Sequence, residues 1–401
     1  MSKIKILDQL TIQKIAAGEI IERPSSIVKE LVENSLDANS SNITIEINNG
    51  GKSYIRITDD GEGFSEEDLK IAFKRHSTSK LTDLEDLHRI ISFGFRGEAL
   101  ASISTVAKVE VITKSKDNLS GIQAFVEEGK IVKQRPVGCP KGTTMIIRDL
   151  FYNVPVRQKF LKGDLVESNY ISDIVYRLAL GNSGIAFKYI RDNKIIFNTS
   201  KKNNLLSNIY TLLGKEFSKN LIEIKDRSSI FNIYGYISNN VFYRSNRSHQ
   251  YLYVNNRYIK MDSISSLIEG KYKTIIPNNK FPVFILFIDI APSYIDINIH
   301  PTKQEIKFID QQKIHNEIEY IIGHNLEKAL SIPKVAIKQE EDPKIEELPL
   351  LYDEILYDKE YLKYDSGLVE CKDYTKDSDN KIIEEKSEYI NDNIVNESNN
   401  K

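Results

Sequence analysis

Two side chains four residues apart, within residues 30–38 (ELVENSLDA), have the chemistry to activate water beside a cation. Glu30 is a carboxylate and Asn34 an amide, and at this spacing both lie on one face of a predicted helix. A carboxylate can orient a water molecule, and Mg²⁺ prefers oxygen ligands while it keeps several waters. Taken alone, the same pattern is also typical of a solvated polar helix face.

A second cluster, residues 59–63 (DDGEG), directly follows a predicted strand. Its two glycines allow the backbone to bend tightly and to approach a ligand closely. A carboxylate at Asp59 can accept a hydrogen bond from an exocyclic amine such as that of adenine. The hydroxyl of Thr143, which follows Gly142 at the start of another predicted strand, could share this hydrogen-bond network. Each pattern alone is also typical of ordinary turns.

A third cluster, residues 94–100 (GFRGEAL), is predicted to open a helix. Free backbone N–H groups and the positive end of the helix dipole attract phosphate at such a place. The preceding stretch, residues 75–93, is polar and could close over a bound ligand. The alternative is a linker and a helix cap without any ligand.

A lysine follows a proline turn in residues 298–303 (NIHPTK). Lys303 could reach a phosphate as a point charge, although most such lysines are solvated. His300 is expected to be a turn residue because no second His or Cys lies at metal-ligand spacing. Residues 51–53 (GKS) look like the end of a P-loop, but Glu46 stands where that loop needs a glycine. A hairpin turn is therefore predicted there.

The elements that must position these groups are those of a mixed α/β domain. Pro24 opens a predicted helix whose apolar residues recur with the helical period. Alternating isoleucines at 43–47 predict a strand, and a second strand follows the turn at 48–51. Further strands are predicted at 108–113 and 143–148, and we find no internal repeat.

A second unit is expected over residues 205–333, with strands at 232–237, 251–254 and 283–290, alternating isoleucines at 295–299 and a helix at 311–330. Residues 334–401 form an acidic, low-complexity tail that is expected to be disordered. Within it, only residues 348–356 are apolar enough to dock. The predicted domains are therefore 1–204, 205–333 and 334–401.

Charge is unevenly distributed along the chain. Residues 335–401 carry nineteen acids, nine lysines and no arginine, a formal charge of −10, whereas residues 1–334 carry +8. A basic body permits contact with a polyanion such as DNA, although this charge is also ordinary for its length.

Several classes of protein are disfavoured by the composition. No stretch approaches 18 apolar residues, and the N-terminus lacks the apolar core of a signal peptide. Cys139 and Cys371 alone form neither a disulfide framework nor a zinc cluster. A reduced cytoplasmic protein without a membrane partner is therefore predicted.

In their order along the chain, these clusters resemble the motifs of the Bergerat-fold (GHKL) ATPases, which include gyrase B, a heat-shock chaperone and sensor histidine kinases. Residues 15–24, 94–103 and 298–303 resemble more narrowly the MutL family of DNA mismatch repair proteins. The resemblance covers about residues 1–330. It implies an α/β (α+β) sandwich of helices on a mixed sheet, followed by a smaller α/β domain with a ribosomal-protein-like fold.

The resemblance also implies a role for each site residue. Glu30 would be the general base that activates water, Asn34 would hold Mg²⁺ at the phosphates of ATP, and Asp59 would read the adenine amine. Thr143 would support Asp59 through water. Lys303 would be a catalytic residue that contacts the γ-phosphate. The other nucleotide-binding residues, on the glycine turn and on a lid, would be Gly61, Gly63, Thr78, Ser79, Lys80, Gly94, Phe95, Arg96, Gly97, Glu98, Ala99 and Leu100.

The implied activity is slow, Mg²⁺-dependent ATP hydrolysis that works as a switch. ATP would order the lid and the N-terminal segment, two chains would pair as a homodimer, and hydrolysis would release them. This clamp would couple a MutS-type mismatch sensor to a downstream nuclease or helicase. It would bind DNA largely without sequence preference through Arg257 and Lys260, and would join the nucleoid during repair.

The sequence departs from the family in three respects. The usual C-terminal dimerisation domain is not evident after Pro333, so the chain is expected to be monomeric without nucleotide. No endonuclease motif of the D-Q-H-A type is found, and Asp262 stands where many relatives have a base. Two alternatives stay open: the ATPase gate of a type II topoisomerase-like protein, and a nucleotide-binding adaptor that does not hydrolyse ATP.

Overall fold

The computed structural model describes residues 8–79, 97–296 and 306–331. By compactness the chain divides into two bodies, Met1–Leu356 and Tyr357–Lys401, and all described residues belong to the first. In this described part, no helix is long and apolar enough to cross a membrane.

The larger of the two main sheets has eight strands. Its order is β5-β4-β3-β6-β2-β1-β7-β8, and all its neighbours are antiparallel except β1 and β7. The strands are β1 Asn42–Asn48, β2 Tyr54–Asp59, β3 Lys108–Lys114, β4 Gly121–Glu127, β5 Lys130–Val137, β6 Gly142–Arg148, β7 Ala186–Arg191 and β8 Lys194–Asn198.

Helices cover the apolar face of this sheet. Two of them, α2 and α6, pack against each other and contribute Ile27, Val28, Ile171 and Val175 to the core beneath the strands. The helices of the described residues are α1 Gln9–Ile20, α2 Pro24–Asp37, α3 Glu66–Ala72, α4 Ala99–Val106, α5 Pro155–Phe160, α6 Asp164–Gly181, α7 Leu205–Leu213, α8 Lys215–Lys219, α9 Asp262–Tyr272 and α10 Gln311–Ser331.

Local sequence explains why α2 and the first hairpin form. Pro24 occupies the first turn of α2, where its missing N–H costs no helical hydrogen bond. In β1 every second residue is buried, and the strand pairs antiparallel with β2 so that Ile45 lies opposite Ile57. A single 3-10 turn, Asn49–Gly51, joins the two strands. The predicted hairpin is therefore confirmed, and the P-loop reading of residues 51–53 is excluded.

A small sheet of five strands follows, in the order β13-β12-β15-β10-β9, with β12 and β15 parallel. Its strands are β9 Leu221–Arg227, β10 Phe231–Ser238, β12 Gln250–Val254, β13 Arg257–Ile259 and β15 Phe284–Ile290. Four two-residue strands form two separate pairs: β11 Tyr243–Arg244 with β14 Phe281–Pro282, and β16 Ile295–Asp296 with β17 Lys307–Phe308.

The small sheet is buried on both faces. Tyr253 and Phe287 belong to the core beneath α6 and α7, whereas Leu252 and Leu286 belong to a second core with α9 and α10. The Tyr253 ring lies so close to Gly181 of α6 that an added Cβ there would come within 2.6 Å of it. The small sheet is thus packed firmly onto the helix layer of the large sheet.

The mixed α/β sandwich and its main elements are as predicted. The structure confirms the helix from Pro24, the strands at 108–113 and 143–148, the three strands of the second unit and the helix at 311–330. Of the alternating isoleucines, Ile295 lies in β16, and positions 297 and 299 fall outside the described residues. The domain boundaries at 204 and 333 stay predictions.

Candidate functional site

Three polar residues form a row across the large sheet, on the neighbouring strands β2, β6 and β3. Asp59 ends β2 and lies opposite Thr143 of β6, which lies opposite Thr113 of β3. The backbone N–H of Thr143 donates to Oδ1 of Asp59 at 3.2 Å, and the hydroxyls of Thr143 and Thr113 are 3.1 Å apart. Thr143 therefore contacts Asp59 directly through its backbone, and the water-mediated support expected of it stays a prediction.

The carboxylate of Asp59 also joins the sheet to α2. Ser35 Oγ donates to Oδ2 of Asp59 at 2.8 Å, and the N–H of Gly61 donates to Oδ1 at 2.9 Å. A carboxylate offers about four acceptor sites. Together with the bond from Thr143, the described residues fill three of them, which leaves one on Oδ2 for a donor such as an adenine amine.

The pKa values of the adjacent carboxylates Asp59 and Asp60 are shifted in opposite directions. Burial raises the pKa of Asp59, and its hydrogen bonds only partly offset this. Burial alone would also raise the pKa of Asp60, but the side chain and backbone N–H of Asn42 and the N–H of Ser41 hold it below its usual value. Asp60 thus holds the start of β1, whereas Asp59 is a partly buried carboxylate with room for a ligand.

The lowered pKa of Asp60 predicts a pH-dependent contribution to stability. A folded-state pKa below the unfolded value of about 3.9 stabilises the protein above that pH, and the effect is lost as pH falls through the folded-state pKa. We expect Asp60→Asn to lower the free energy of unfolding at pH 7, and the gap to wild type to shrink at pH 3. Urea unfolding at both pH values measures this, and a gap that does not change with pH would contradict it.

Gly63 is required by the turn that follows Asp59. Its φ is +74°, and an added Cβ would come within 2.2 Å of the carbonyl oxygen of Lys114. Because that obstacle is backbone, it cannot move aside as a side chain would. The turn also packs on the C-terminal end of α2, where the N–H of Glu62 donates to the carbonyl of Ala38 at 3.0 Å.

A matched pair of glycine variants separates backbone strain from collision. Gly129 has φ +77°, but an added Cβ there would meet nothing within 4 Å. Gly129→Ala is expected to cost roughly 1 kcal/mol of unfolding free energy, from the left-handed backbone alone. Gly63→Ala should cost roughly 3 kcal/mol, because the collision adds to the strain. Chemical denaturation measures both, and equal losses would show that the approach to Lys114 does not matter.

The two candidate residues of α2 lie one helical turn apart, at a separation of about 6 Å along the axis. Glu30 and Asn34 are both partly exposed, and Lys29 Nζ lies 3.3 Å from Oε1 of Glu30. Asn34 directly precedes Ser35, so the same helix presents Glu30 and Asn34 and holds Asp59.

The donor set fits Mg²⁺ that is held mainly by a nucleotide. No group of three or more His, Cys, Asp or Glu side chains that could hold a metal occurs among the described residues. Mg²⁺ is commonly bound by one or two protein oxygens together with substrate phosphates and waters. The amide oxygen of Asn34 is a suitable single protein ligand of that kind.

The described lid residues lie at the two ends of the undescribed segment 80–96. Thr78 and Ser79 follow α3 and are exposed. Gly97 packs on the backbone of Ser77, where an added Cβ would come within 2.4 Å of its carbonyl oxygen. Glu98 precedes α4, whose first two residues are Ala99 and Leu100. Lys80, Gly94, Phe95, Arg96 and Lys303 fall outside the described residues.

The two expected DNA-binding residues have different surroundings. Lys260 follows β13 and is exposed, as a phosphate contact requires. Arg257 is only 7% exposed, and burial lowers its pKa against the charges of Glu33 and Asp37 on α2. The burial of Arg257 disfavours the DNA contact expected for it, because a phosphate contact requires an exposed guanidinium.

Sequence reasoning missed two residues that hold Asp59 and Thr143. Ser35 lies on the buried face of α2, and a hydroxyl on a buried helix face needs a partner. Thr113 is fully buried, and its hydroxyl also accepts from the N–H of Phe64 at 2.9 Å. Its position at the end of a predicted strand was the available signal.

Two family models match parts of the chain. Residues 22–144 match the family model "Histidine kinase-, DNA gyrase B-, and HSP90-like ATPase". Residues 209–327 match the model "DNA mismatch repair protein, C-terminal domain".

Relatives match over most of the chain. The DNA mismatch repair protein MutL of Caldanaerobacter subterraneus subsp. tengcongensis is 45% identical over 347 residues, which are 86% of this chain and 58% of that protein. MutL of Thermoanaerobacter pseudethanolicus is 41% identical over 397 residues, 99% of this chain and 64% of that protein.

Solved structures share the fold. The N-terminal domain of a DNA repair protein superposes with a TM-score of 0.70 at 27% identity, covering 80% of this chain and 100% of that one. The Aquifex aeolicus MutL ATPase domain complexed with ADP superposes with a TM-score of 0.54 at 24% identity. It covers 76% of this chain and 98% of that one.

The mixed sheet and its helix layer, together with the match over residues 22–144, therefore define a domain of the class shared by histidine kinases, gyrase B and HSP90. The chain belongs to the MutL family of DNA mismatch repair proteins. It spans 58% and 64% of the length of the two relatives named above.

One expectation is corrected by the family match. The sequence led us to expect that the family's usual C-terminal dimerisation domain is not evident after Pro333. A domain that carries the family's C-terminal designation is present at residues 209–327, within the second unit and before Pro333.

Proposed function

We propose that the chain is the ATP-hydrolysing part of a DNA mismatch repair protein and works as a slow molecular switch. The observation that carries this proposal is the hydrogen bond between Ser35 of α2 and Asp59 of β2. It fixes the residue that would read adenine beside the helix that carries the proposed base and metal ligand. ATP whose adenine binds at Asp59 would direct its phosphates toward Glu30 and Asn34.

In the proposed reaction the protein positions groups and neutralises charge. Glu30 would take a proton from the attacking water, whose oxygen bonds to the γ-phosphorus while the bond from that phosphorus to the bridging oxygen breaks and ADP leaves. Asn34 would hold Mg²⁺, which supplies positive charge at the phosphates. Asp59 would accept from the adenine amine, with Thr143 and the turn of Gly61 and Gly63 holding it in place.

The lid residues, some of which lie outside the described part, and Lys303 complete the proposed site. The stretch 75–100, including Thr78, Ser79, Lys80 and Gly94 to Leu100, would cover the phosphates, and Lys303 of the second unit would contact the γ-phosphate. ATP would favour pairing of two chains because it binds the paired state more tightly. Hydrolysis would then release the pair.

The biological role we propose is that of a clamp that links two steps of repair. Its ATP state would recruit a MutS-type mismatch sensor and a downstream nuclease or helicase, in the cytoplasm and at the nucleoid. Relatives that carry the name DNA mismatch repair protein MutL support this role.

Single-turnover hydrolysis of radiolabelled ATP by the purified chain tests the enzymatic proposal. We expect slow release of phosphate that requires Mg²⁺ and that follows saturable ATP binding. Binding without any hydrolysis would instead favour an adaptor that uses ATP only as a ligand.

DNA binding is expected to depend strongly on salt and only weakly on sequence. Lys260 and other exposed lysines and arginines of residues 1–334, which carry a formal charge of +8, would neutralise DNA phosphates. Each neutralised phosphate adds roughly 0.9 to the slope of log K against log salt. Fluorescence anisotropy with two unrelated duplexes over a range of salt concentrations measures both properties. A flat salt dependence would contradict the electrostatic mode of binding.

A further inference from the structure

The hydroxyl of Thr113 is fully buried and lies among three hydrogen-bonding groups. It accepts from the backbone N–H of Phe64 at 2.9 Å. It lies 3.1 Å from the carbonyl oxygen of Gly142, to which it can donate, and 3.1 Å from the hydroxyl oxygen of Thr143. A threonine hydroxyl has one hydrogen and two lone pairs. The three neighbours can therefore use each of its bonding positions once.

The direction of the hydrogen bond between Thr113 and Thr143 follows from this count. If Thr113 donates its hydrogen to Gly142, both of its lone pairs are left to accept. They then accept from the N–H of Phe64 and from the hydroxyl of Thr143. If Thr113 instead donated to Thr143, the bond to Gly142 would be lost and one lone pair of Thr113 would stay empty in a buried position. Because buried polar groups are almost always paired, the first arrangement is favoured.

This direction decides what Thr143 presents to a ligand. A hydroxyl that donates its only hydrogen to Thr113 can offer nothing but lone pairs elsewhere. Thr143 is the cross-strand neighbour of Asp59 on the same face of the sheet, and such side chains have Cβ atoms about 4.5–5.5 Å apart. A group bound at Oδ2 of Asp59 is therefore within reach of Thr143, directly or through one water. It meets hydrogen-bond acceptors on both side chains.

We propose that Thr113 is a positioning residue that sets base specificity: it fixes the hydroxyl of Thr143 as an acceptor, so that the site selects purines with an amino group at position 6. The inference rests on the proposed function, in which Asp59 reads the adenine amine. Thr113 lies on the far side of Thr143 from Asp59 and acts through Thr143.

The physical reason is the match between donors and acceptors at position 6 of the base. An amine offers hydrogens to an edge that consists of acceptors. The oxygen of a 6-oxopurine, such as guanine or hypoxanthine, would face lone pairs on both Asp59 and Thr143. Without the Thr113 hydroxyl, Thr143 loses its inward acceptor and can turn its hydrogen toward that oxygen. A 6-oxopurine then gains a hydrogen bond that the wild-type site denies it.

The test compares the affinities of ATP and inosine triphosphate (ITP) for the full chain by equilibrium titration. ITP carries an oxygen in place of the adenine amine. The variants are Thr113→Val, Thr113→Ser, Thr143→Val and the double variant Thr113→Val/Thr143→Val. The melting temperature of each variant reports on its folding.

The matched control is Thr58→Val. The hydroxyls of Thr58 and Thr144 are also 3.1 Å apart, and the two residues lie opposite each other on β2 and β6. Because successive side chains of a strand point to opposite faces, this pair lies on the other face of the sheet from Asp59 and Thr143. The control thus removes an equivalent hydroxyl contact away from the proposed base site.

For Thr113→Val we expect the preference for ATP over ITP to fall on the order of tenfold, mainly because ITP binds more tightly. Thr113→Ser keeps the hydroxyl and should restore the preference, and Thr58→Val should retain it. In the double variant, the loss of the Thr113 hydroxyl should add little to the effect of Thr143→Val, because Thr113 acts through Thr143.

A measurement on the wild-type chain keeps the proposal testable if Thr113→Val does not fold. Purine riboside triphosphate has no group at position 6. If the edge consists of acceptors, ITP should bind to the wild-type chain no more tightly than this nucleotide does. Tighter binding of ITP would contradict the proposal, because the oxygen at position 6 would then have found a donor.

Two results with the variants would overturn the proposal. One is an unchanged preference in Thr113→Val, or equal losses of ATP and ITP affinity, which would show that Thr113 only holds the turn through Phe64. The other is a further large fall in preference when Thr113→Val is added to Thr143→Val. Failure of the proposed function is distinct: the wild-type chain would then bind ATP and ITP equally, or Asp59→Asn would keep the wild-type preference.

Discussion

Replacing Glu30 by alanine is expected to slow ATP hydrolysis by roughly 10²–10⁴-fold while ATP affinity stays within a few-fold of wild type. The substitution removes the one carboxylate that lies a helical turn before Asn34 on the exposed side of α2. It leaves Asp59 and its bond to Ser35 intact, so adenine binding is preserved. Single-turnover release of radiolabelled phosphate measures the rate, and equilibrium binding of a fluorescent ATP analogue measures the affinity.

A matched control for this variant is Glu67→Ala. Glu67 is an exposed carboxylate in the first turn of α3, so its loss removes the same charge at another surface. It should hydrolyse ATP like the wild-type chain. Turnover by Glu30→Ala above a tenth of the wild-type rate would show that Glu30 is not the base.

The second large effect is expected for Asp59→Asn, which should weaken ATP binding on the order of 10- to 100-fold. An asparagine presents an NH₂ group where the carboxylate accepts, so it faces either the Ser35 hydroxyl or the N–H groups of Gly61 and Thr143. Losing charge-assisted hydrogen bonds of this kind costs about 1.5–3 kcal/mol. Isothermal titration with ATP and with GTP measures both the affinity and the preference for adenine.

The neighbouring carboxylate provides the control. Asp60→Asn makes the same chemical change one residue away, where the side chain binds Ser41 and Asn42. It should lower stability and leave the preference for ATP over GTP unchanged. If Asp59→Asn binds both nucleotides as the wild-type chain does, Asp59 does not read the base.

The wild-type affinity for ATP should also fall at low pH. Because burial raises the pKa of Asp59, its carboxylate is protonated at a higher pH than an ordinary aspartate, and the protonated form accepts fewer hydrogen bonds. This dependence should be absent in Asp59→Asn, which has no proton to gain at this position.

Local patterns were sufficient to predict the elements that present the site. The proline at the start of α2, the alternation in β1 and the turn at 49–51 each follow from residue type and period, and the structure has all three. Glu30, Asn34 and Asp59 could be proposed in the same way, since their chemistry is visible in their types and spacing.

Long-range contacts were not predictable from these patterns. The pairing of β1 with β7 joins strands separated by more than a hundred residues, and the sequence of neither strand indicates which strand it pairs with. The same holds for Ser35, whose bond to Asp59 depends on how α2 packs against β2. Arg257 was expected to be a DNA contact because the sequence shows its charge but not its burial.

The most direct measurement is a crystal structure of the chain with Mg²⁺ and a nonhydrolysable ATP analogue. We expect the adenine amine within hydrogen-bond distance of Oδ2 of Asp59, the amide oxygen of Asn34 on the metal, and Glu30 facing the γ-phosphate across a water. An adenine bound away from Asp59, or phosphates directed away from α2, would contradict the proposed ATPase site.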